Sequence, residues 1–248
     1  MRQMVVAWAG CLLMASCSED QCWQAAGREV VQRVDALSAY PAAWIAVEDG
    51  IDVVWQESTQ EDARAEWHAP SGLLDGAAWG RFADTLVLYD ANGCRWLRAP
   101  DVHLVCSLYT PSPEGLQMLG HGAFETLDTM RTPESITLYS HRSTAEVNLW
   151  IRTDSLAIRI PAGASSWTID GAVRRAGAYV SGLSQLNADG LETEQFQFHA
   201  ETNRSQRIRA SQYAFVNVAG SGDILLYGQP EAWDEQNAGE GGALLLMP

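Results

Sequence analysis

Short bursts of alternating apolar residues return along the second half of this chain at a nearly constant stride. Leu116-Gln-Met118, Ile136-Thr-Leu138, Ile158-Arg-Ile160, Ala178-Tyr-Val180, Phe196-Gln-Phe198 and Val216-Asn-Val218 each set two apolar side chains two positions apart. Their second members are separated by 20, 22, 20, 18 and 20 residues. Small or turn-forming residues follow most of them, as in Gly120-His121-Gly122, Pro161-Ala162-Gly163, Ser181-Gly182 and Gly220-Ser221-Gly222. A period of two is that of a strand with one buried face. A strand-plus-corner unit recurring at this interval is the pattern of a solenoid. One coil cannot bury its inward side chains alone. Coils stacked about 4.8 Å apart bury them as continuous ladders. A sandwich would repeat the strand length without repeating the strand-plus-corner unit. The expected fold is all-β: a right-handed parallel β-helix of roughly 20-residue coils, with residues 118, 138, 160, 180, 198 and 218 as adjacent rungs.

The first half carries the same texture less regularly, in Ile45/Val47, Ile51/Val53, Leu86/Leu88 and Val102/Leu104. No long helical pattern appears beyond residue 40. Before it, Val30, Val31, Val34 and Leu37 fit either a short helix or a first strand. The 248 residues are 47% hydrophobic, enough for a sizeable core. Net charge is −15, and all 16 basic residues are arginine. Such an acidic surface repels nucleic acid and anionic headgroups, so neither is expected as a partner.

The N-terminus reads as an export signal. A short basic start precedes the apolar run Met4–Ala15, which is too short to span a bilayer. It ends in Leu13-Met14-Ala15-Ser16-Cys17, which resembles a bacterial lipobox with Met in place of the commoner Leu. The resemblance implies cleavage of residues 1–16 and lipid attachment at Cys17. Ser18-Glu19-Asp20 looks like an acidic export tag. The expected location is lipid-anchored at the outer membrane, facing the cell surface or the periplasm, with the membrane touched only through the lipid.

Cys11 would leave with the signal. Cys94 and Cys106 flank the turn-like Arg98-Ala99-Pro100-Asp101 and are candidates for a disulfide clip, which leaves Cys22 odd. No Cys-x-x-Cys pair supports a zinc or redox site. His103, His121 and His141 are 18 and 20 residues apart, close to one coil each. Stacked on one corner, His121 and His141 would be the metal-ligand candidates, with an exposed stack lacking any ion as the alternative. Acids such as Asp84, Asp90, Asp101, Glu125, Asp128 and Glu134 show no pairing at the coil interval, and glycoside hydrolysis needs two carboxylates at a set separation. Nucleophile elbows, phosphate loops and dinucleotide fingerprints are absent from the sequence. No catalytic residue and no cofactor is therefore expected. Trp44, Trp55, Trp67, Trp79 and Trp96 cluster in the first half. They suit a buried cap over the open end of the solenoid better than exposed sugar platforms.

Two segments carry a family resemblance: Ser181–Leu191 with Ala210–Pro230, which contains Gly-Ser-Gly-Asp-Ile and Tyr-Gly-Gln-Pro, and Ile45-Ala-Val-Glu-Asp-Gly-Ile-Asp-Val53 near the start. They resemble the GIN domain, an auto-transporter adhesin head domain of bacterial surface proteins. The resemblance spans roughly residues 35–230 and is loosest between 60 and 135. It implies a β-helix-like fold at the cell envelope and no established catalysis. Residues 17–34 then form a lead-in, and 231–248 a polar linker with a last strand covering the other end. The expected function is a non-catalytic, adhesin-like or structural surface module that binds a glycan, a protein or a second copy of itself. A polysaccharide-active β-helix enzyme is the alternative, requiring several acids converging in a cleft.

Overall fold

The computed structural model describes residues 29–48, 50–93, 103–237 and 241–248. Residues 1–28, which include Cys11, Cys17 and Cys22, lie outside the described residues, as do Cys94 and Trp96. The first strands are β1 (Val30–Ala36), β2 (Trp44–Val47), β3 (Ile51–Glu57) and β4 (Arg64–Pro70), then a single helical turn α1 (Ser71–Leu74). Next come β5 (Ala77–Phe82), β6 (Thr85–Asp90), β7 (Leu104–Thr110), β8 (Gly115–Met118), β9 (Ala123–Thr126) and β10 (Met130–Arg131). Three long strands follow, β11 (Ser135–Ser143), β12 (Glu146–Gly163) and β13 (Ser166–Gly182), then β14 (Gln185–Asn187) and β15 (Leu191–Thr202). The chain ends with β16 (Gln206–Arg209), β17 (Tyr213–Val218), β18 (Ile224–Tyr227), β19 (Ala232–Asn237) and β20 (Leu244–Leu246).

These strands wind into a parallel β-solenoid of about six turns, with coils of roughly 20 residues. Each rung hydrogen-bonds laterally to the rungs on either side. On one side of the coil the pairing lines up Leu86, Ile45, Leu116, Leu138, Ile158, Ala178, Phe198 and Val216 in one inward ladder. On the next side Cys106, Val53, Phe124, Val147, Trp167 and Leu186 form another. All of these are buried. Burying such a side chain contributes about 2 kcal/mol, so the ladders dominate the stability of the coil stack.

The register differs from the expected one by two residues at every step between markers except that from Ile160 to Val180. Met118 pairs with Ser140, Leu138 with Ile158, Ile160 with Val180, and Phe198 with Val216. The six marker residues are all buried, but they belong to two neighbouring inward ladders. Each burst holds two equivalent inward positions, and a slip of two keeps every side chain on its own face. Periodicity therefore fixes which residues point inward without fixing which member of a pair meets which.

The chain does not enter the solenoid at its end. Strands β2 and β3 form the second rung, flanked by β6 and β7 on one side and β8 and β9 on the other. The insertion from β4 to β6 folds back to build the terminal rung. There β4 pairs antiparallel with β7, and β1 pairs antiparallel with β4, so Val30–Ala36 is a strand and not a helix. Leu37, Ala65, Trp67, Leu73 and Leu74 close this end of the core. Trp55 and Trp67 are wholly buried, and their indole N–H groups donate to Thr110 Oγ1 (2.9 Å) and Asp35 Oδ2 (3.0 Å). The cap reading holds for Trp67, whereas Trp55, flanked by rungs on both sides, is an internal core residue.

The opposite end is built differently from expectation. Residues 232–237, expected as part of a linker, form strand β19 as the last rung beneath β17, and β20 pairs parallel with β18. Strand β20 adds a rung without covering one, so Leu246 stays 52% exposed and Trp233 46%.

Corners demand special residues. Gly171 has φ of +122°, and a Cβ there would lie 2.0 Å from the carbonyl oxygen of Ile151 on the rung before it. Only glycine allows that approach. Inward polar groups at another corner are bonded within the stack: Ser143 Oγ donates to the Gly120 carbonyl (2.6 Å), and Trp167 Nε1 to Ser165 Oγ (3.1 Å). The buried Gln206 amide accepts the Leu186 N–H (2.7 Å) and donates to the carbonyls of Ser184 (3.1 Å) and Arg204 (2.8 Å).

Two substitutions test this core. Val180→Asp places a charge between Ile160 and Ala200 and should cost on the order of 4 kcal/mol, abolishing the cooperative unfolding transition seen by circular dichroism. Ser140→Ala should do the reverse. Its buried hydroxyl has no hydrogen-bond partner in the ladder, so its removal should raise stability by about 1 kcal/mol in urea denaturation.

Candidate functional site

Lateral pairing that stacks apolar residues inside the coil also stacks outward residues in rows. On the sheet formed by β11, β12, β13, β15 and β17, Tyr139, Arg159, Tyr179, His199 and Asn217 stand in one outward row. Beside it runs Thr137, Ala157, Gly177, Gln197 and Phe215. Ala157 and Gly177 are the smallest members, and their lack of bulk opens a furrow of about 340 Å³. Arg159, Tyr179 and His199 line one side, and Gln197 and Phe215 also border it. A Cβ on Gly177 would meet nothing within 4 Å, so the glycine leaves open space there.

The wall is held by its own contacts. The Tyr179 and His199 rings lie 5.2 Å apart at 33°. Tyr179 OH donates to Glu201 Oε2 (2.7 Å), and His199 Nε2 bonds to Glu201 Oε1 (2.8 Å). These bonds, that from Tyr179 foremost, hold the Glu201 carboxyl below its ordinary range, and the same bond to Glu201 raises the Tyr179 phenol. Glu201 is therefore an ionised brace for the aromatic wall.

At the adjoining corner lies an arginine-lined groove. Asp154 accepts from Arg174 Nε (2.5 Å) and Nη2 (2.8 Å) and from Arg175 Nη2 (3.1 Å). The Arg174 guanidinium, with Arg175 adding to it, holds the Asp154 carboxyl down at about 2. Arg131 and Arg152 pair in register on successive rungs, as do neighbouring inward positions Met130 and Ile151. Arg131, Arg152 and Arg174 line a groove of about 480 Å³ with Thr132, Pro133, Thr153 and Asp154.

The expected site residues fare unevenly. His121 and His141 do not share a register: Ser140 pairs with Met118, which sets His141 beside Leu119, two positions short of His121. A coil longer by two residues here displaces the two rings. The His141 ring instead stacks near Tyr139 (6.4 Å, 11°), and the His121 carbonyl accepts the Gly50 N–H. His103 Nδ1 lies 3.5 Å from Asp52 Oδ2. Among the described residues no group of three His, Cys, Asp or Glu side chains could hold a metal ion. Cys106 is a free thiol, fully buried in an inward ladder, and burial pushes its pKa far up. Its expected partner, Cys94, lies outside the described residues, as does the lipid-attachment candidate Cys17. The furrow and the arginine corner went unread in the sequence. The signal was present as Tyr139, Arg159, Tyr179 and His199 at a constant stride of 20, and as Met130-Arg-Thr132 against Ile151-Arg-Thr153.

A parallel solenoid with grooved outer faces defines a class of β-helical modules. Within that class the chain belongs to the family described as "Putative auto-transporter adhesin, head GIN domain", whose sequence profile matches residues 43–230. The loosely matching stretch after residue 60 includes the insertion that folds back to form the terminal rung. Three solved structures share the fold. A "putative adhesin" from Bacteroides fragilis superposes with a TM-score of 0.76 at 13% identity, covering 89% of this chain and 98% of its own. A "putative lipid binding protein" from Parabacteroides distasonis gives 0.64 at 15% identity, covering 89% and 98%. A "putative adhesin" from Parabacteroides merdae gives 0.64 at 12%, covering 89% and 97%. At these identities the likeness is one of fold. No curated protein matches the sequence. No helix among the described residues is long and apolar enough to cross a membrane.

The Asp154 pairing has a measurable consequence. A carboxyl whose folded pKa is depressed contributes stability above its ordinary pKa, and that contribution is lost as pH falls from about 4 towards about 2. The group is solvent-accessible, so the effect on stability is small and salt-sensitive. An NMR titration of the Asp154 carboxyl should show a midpoint near 2 in the wild type. In Arg174→Gln/Arg175→Gln the midpoint should return to the ordinary carboxylate range.

Proposed function

We propose that this protein is a non-catalytic, adhesin-like module of the cell envelope, tethered at the outer membrane through lipid on Cys17. It binds a surface glycan or protein along the furrow floored by Ala157 and Gly177. The furrow carries this reading because its chemistry is that of a binding surface. Tyr179 and Phe215 offer apolar rings for the flat face of a sugar or an apolar side chain, and Arg159, Gln197 and Asn217 offer hydrogen bonds beside them. Family membership among adhesins supports the same role.

Cleavage of a polysaccharide asks for something else: a proton-donating carboxylic acid facing a second carboxylate across the scissile bond. The residues lining the furrow include no carboxylate. The nearest acid of its wall, Glu201, is held ionised by Tyr179 and His199, the wrong state for a general acid.

The test uses the full chain with its own leader, expressed in a diderm bacterium. Labelled palmitate should be incorporated by the wild type and not by Cys17→Ser, and the wild type should fractionate with the outer membrane. The detergent-solubilised lipoprotein is then screened on glycan and matrix-protein arrays. Gly177→Phe should fold normally, since open space surrounds its Cβ, and should lose at least about tenfold in affinity for whatever the wild type captures. Arrays blank throughout would remove the binding role. Unchanged capture by Gly177→Phe would remove the furrow from it.

A further inference from the structure

The stacked arginines at the corner beside the furrow carry an assignment of their own. Arg131 and Arg152 occupy directly paired positions on adjacent parallel rungs, about 4.8 Å apart. Both are exposed. Like charges set opposite each other on neighbouring strands destabilise the pairing. Elsewhere on this surface arginines are matched with carboxylates: Asp154 accepts from both Arg174 and Arg175, and Asp189 lies 3.9 Å from Arg207. Among the described residues no carboxylate is paired with Arg131 or Arg152. In a chain of net charge −15, with 31 acids against 16 arginines, a supply of acids is not what is lacking.

We propose that Arg131 and Arg152 form an anion-binding clamp for an acidic polysaccharide, one whose sugar rings carry carboxylate or sulfate groups. Guanidinium groups on adjacent rungs can both turn N–H donors toward one anionic group seated between them, a role that suits the arginine fork. The groove around them is lined by three guanidinium groups and one carboxylate, and that carboxylate is already saturated by Arg174 and Arg175. Thr132 and Thr153, whose hydroxyls lie 3.1 Å apart, and Pro133 offer a small polar and apolar wall of the kind a pyranose ring fits. On its other side Arg152 borders a mixed groove with Glu192, Glu194, Arg174 and Arg209, Glu192 standing two rungs away in the same row with Ala172 between them, so the clamp faces Arg131 and not that groove.

The clamp takes one anion at a time, so its neighbours select the polymer: the Thr132 and Thr153 hydroxyls and the Pro133 ring suit the hydroxyls and flat face of a sugar. This clamp lies outside the furrow, none of whose lining residues it shares.

The experiment is equilibrium binding of the detergent-solubilised full chain to polygalacturonate, dextran sulfate, uncharged dextran and poly-glutamate at two salt concentrations. Inorganic sulfate serves as a competitor. At least one of the two acidic polysaccharides should bind, more weakly at the higher salt, and uncharged dextran should not. Arg131→Gln/Arg152→Gln should weaken that binding at least tenfold, while the charge-matched control Arg81→Gln/Arg207→Gln should weaken it less than threefold. The clamp variant should also unfold at the same or a higher temperature than the wild type at low salt, because a repulsion has been removed. Gly177→Phe should leave this binding intact, which separates the clamp from the furrow. Failure of both acidic polysaccharides to bind overturns the proposal, whatever the arrays show for the furrow. Equal loss in the control variant overturns it too, by making the effect one of net charge. Poly-glutamate binding as tight as that of the polysaccharides would replace the polysaccharide with an acidic peptide. Competition by millimolar inorganic sulfate that fully displaces the polymer would reduce the clamp to a simple oxyanion site.

Discussion

Lateral hydrogen bonding between parallel rungs is the constraint on which the rest of this molecule depends. Once β12 pairs with β13 and β13 with β15, each residue is committed to a neighbour above and below. An inward position must then be apolar in coil after coil, as in Leu138, Ile158, Ala178 and Phe198, because a polar residue there loses water without gaining a partner. At a corner the same commitment brings backbone against backbone, and Gly171 is the residue that tolerates it. Outside the coil, pairing turns a sparse repeat into a dense surface. Tyr139, Arg159, Tyr179 and His199 are far apart in sequence and adjacent in space. The furrow and the arginine pair are products of the ladder, as the core is.

A stack of this kind has two ends, and each exposes strand edges and a cross-section of the core. The N-terminal end is closed by reversing direction. β4 adds to β7 in antiparallel sense, and the tryptophan and leucines it brings complete the core. At the C-terminal end the ladder itself changes character. Glu235 and Asn237 lie in register beneath Val216 and Val218. Another coil arriving there would have to bury a carboxylate, at a cost no new strand pairing offsets easily. Polar residues at the final rung, Glu235 and Asn237, thus end the stack chemically, while Trp233 and Leu246 keep part of it apolar.

How much of this was legible in the sequence depends on which residues carried the information. The inward face was legible because two-residue alternation is a strong signal, and every marker from Met118 to Val218 is buried. The pairing of those markers was not, because each burst offers two equivalent inward positions, and the coils containing 119–140 and 199–216 differ in length from their neighbours. His121 and His141 failed as a stack for the same reason. The terminal rung was hidden because the chain lays it down after the second rung, so no linear repeat announces it. Cys106 sits opposite Val53, where its side chain packs in a core ladder, and its expected partner Cys94 lies outside the described residues. The outward rows were written at the coil stride but in residues of mixed chemistry, which hydrophobic periodicity does not track.

Inward and outward residues answer to different requirements, and this bears on function more than the fold does. Structures at 12–15% identity superpose on this chain over nearly their whole length. So few shared residues suffice because the ladders need only apolar bulk of tolerable size, with glycine or a small polar residue at the corners. The outer rows are left free to change without disturbing the stack. A fold common to several proteins therefore transmits no ligand from one to another. What this chain recognises must be read from the side chains that the stack does not require: Tyr179, Gly177 and Phe215 along the furrow, and Arg131 with Arg152 at the corner. The arginine pair is the more telling of the two. An outward residue that contributes nothing to the core is neutral for folding, but two unrelieved like charges on adjacent rungs oppose it, and opposition of that kind persists where binding gives it a use.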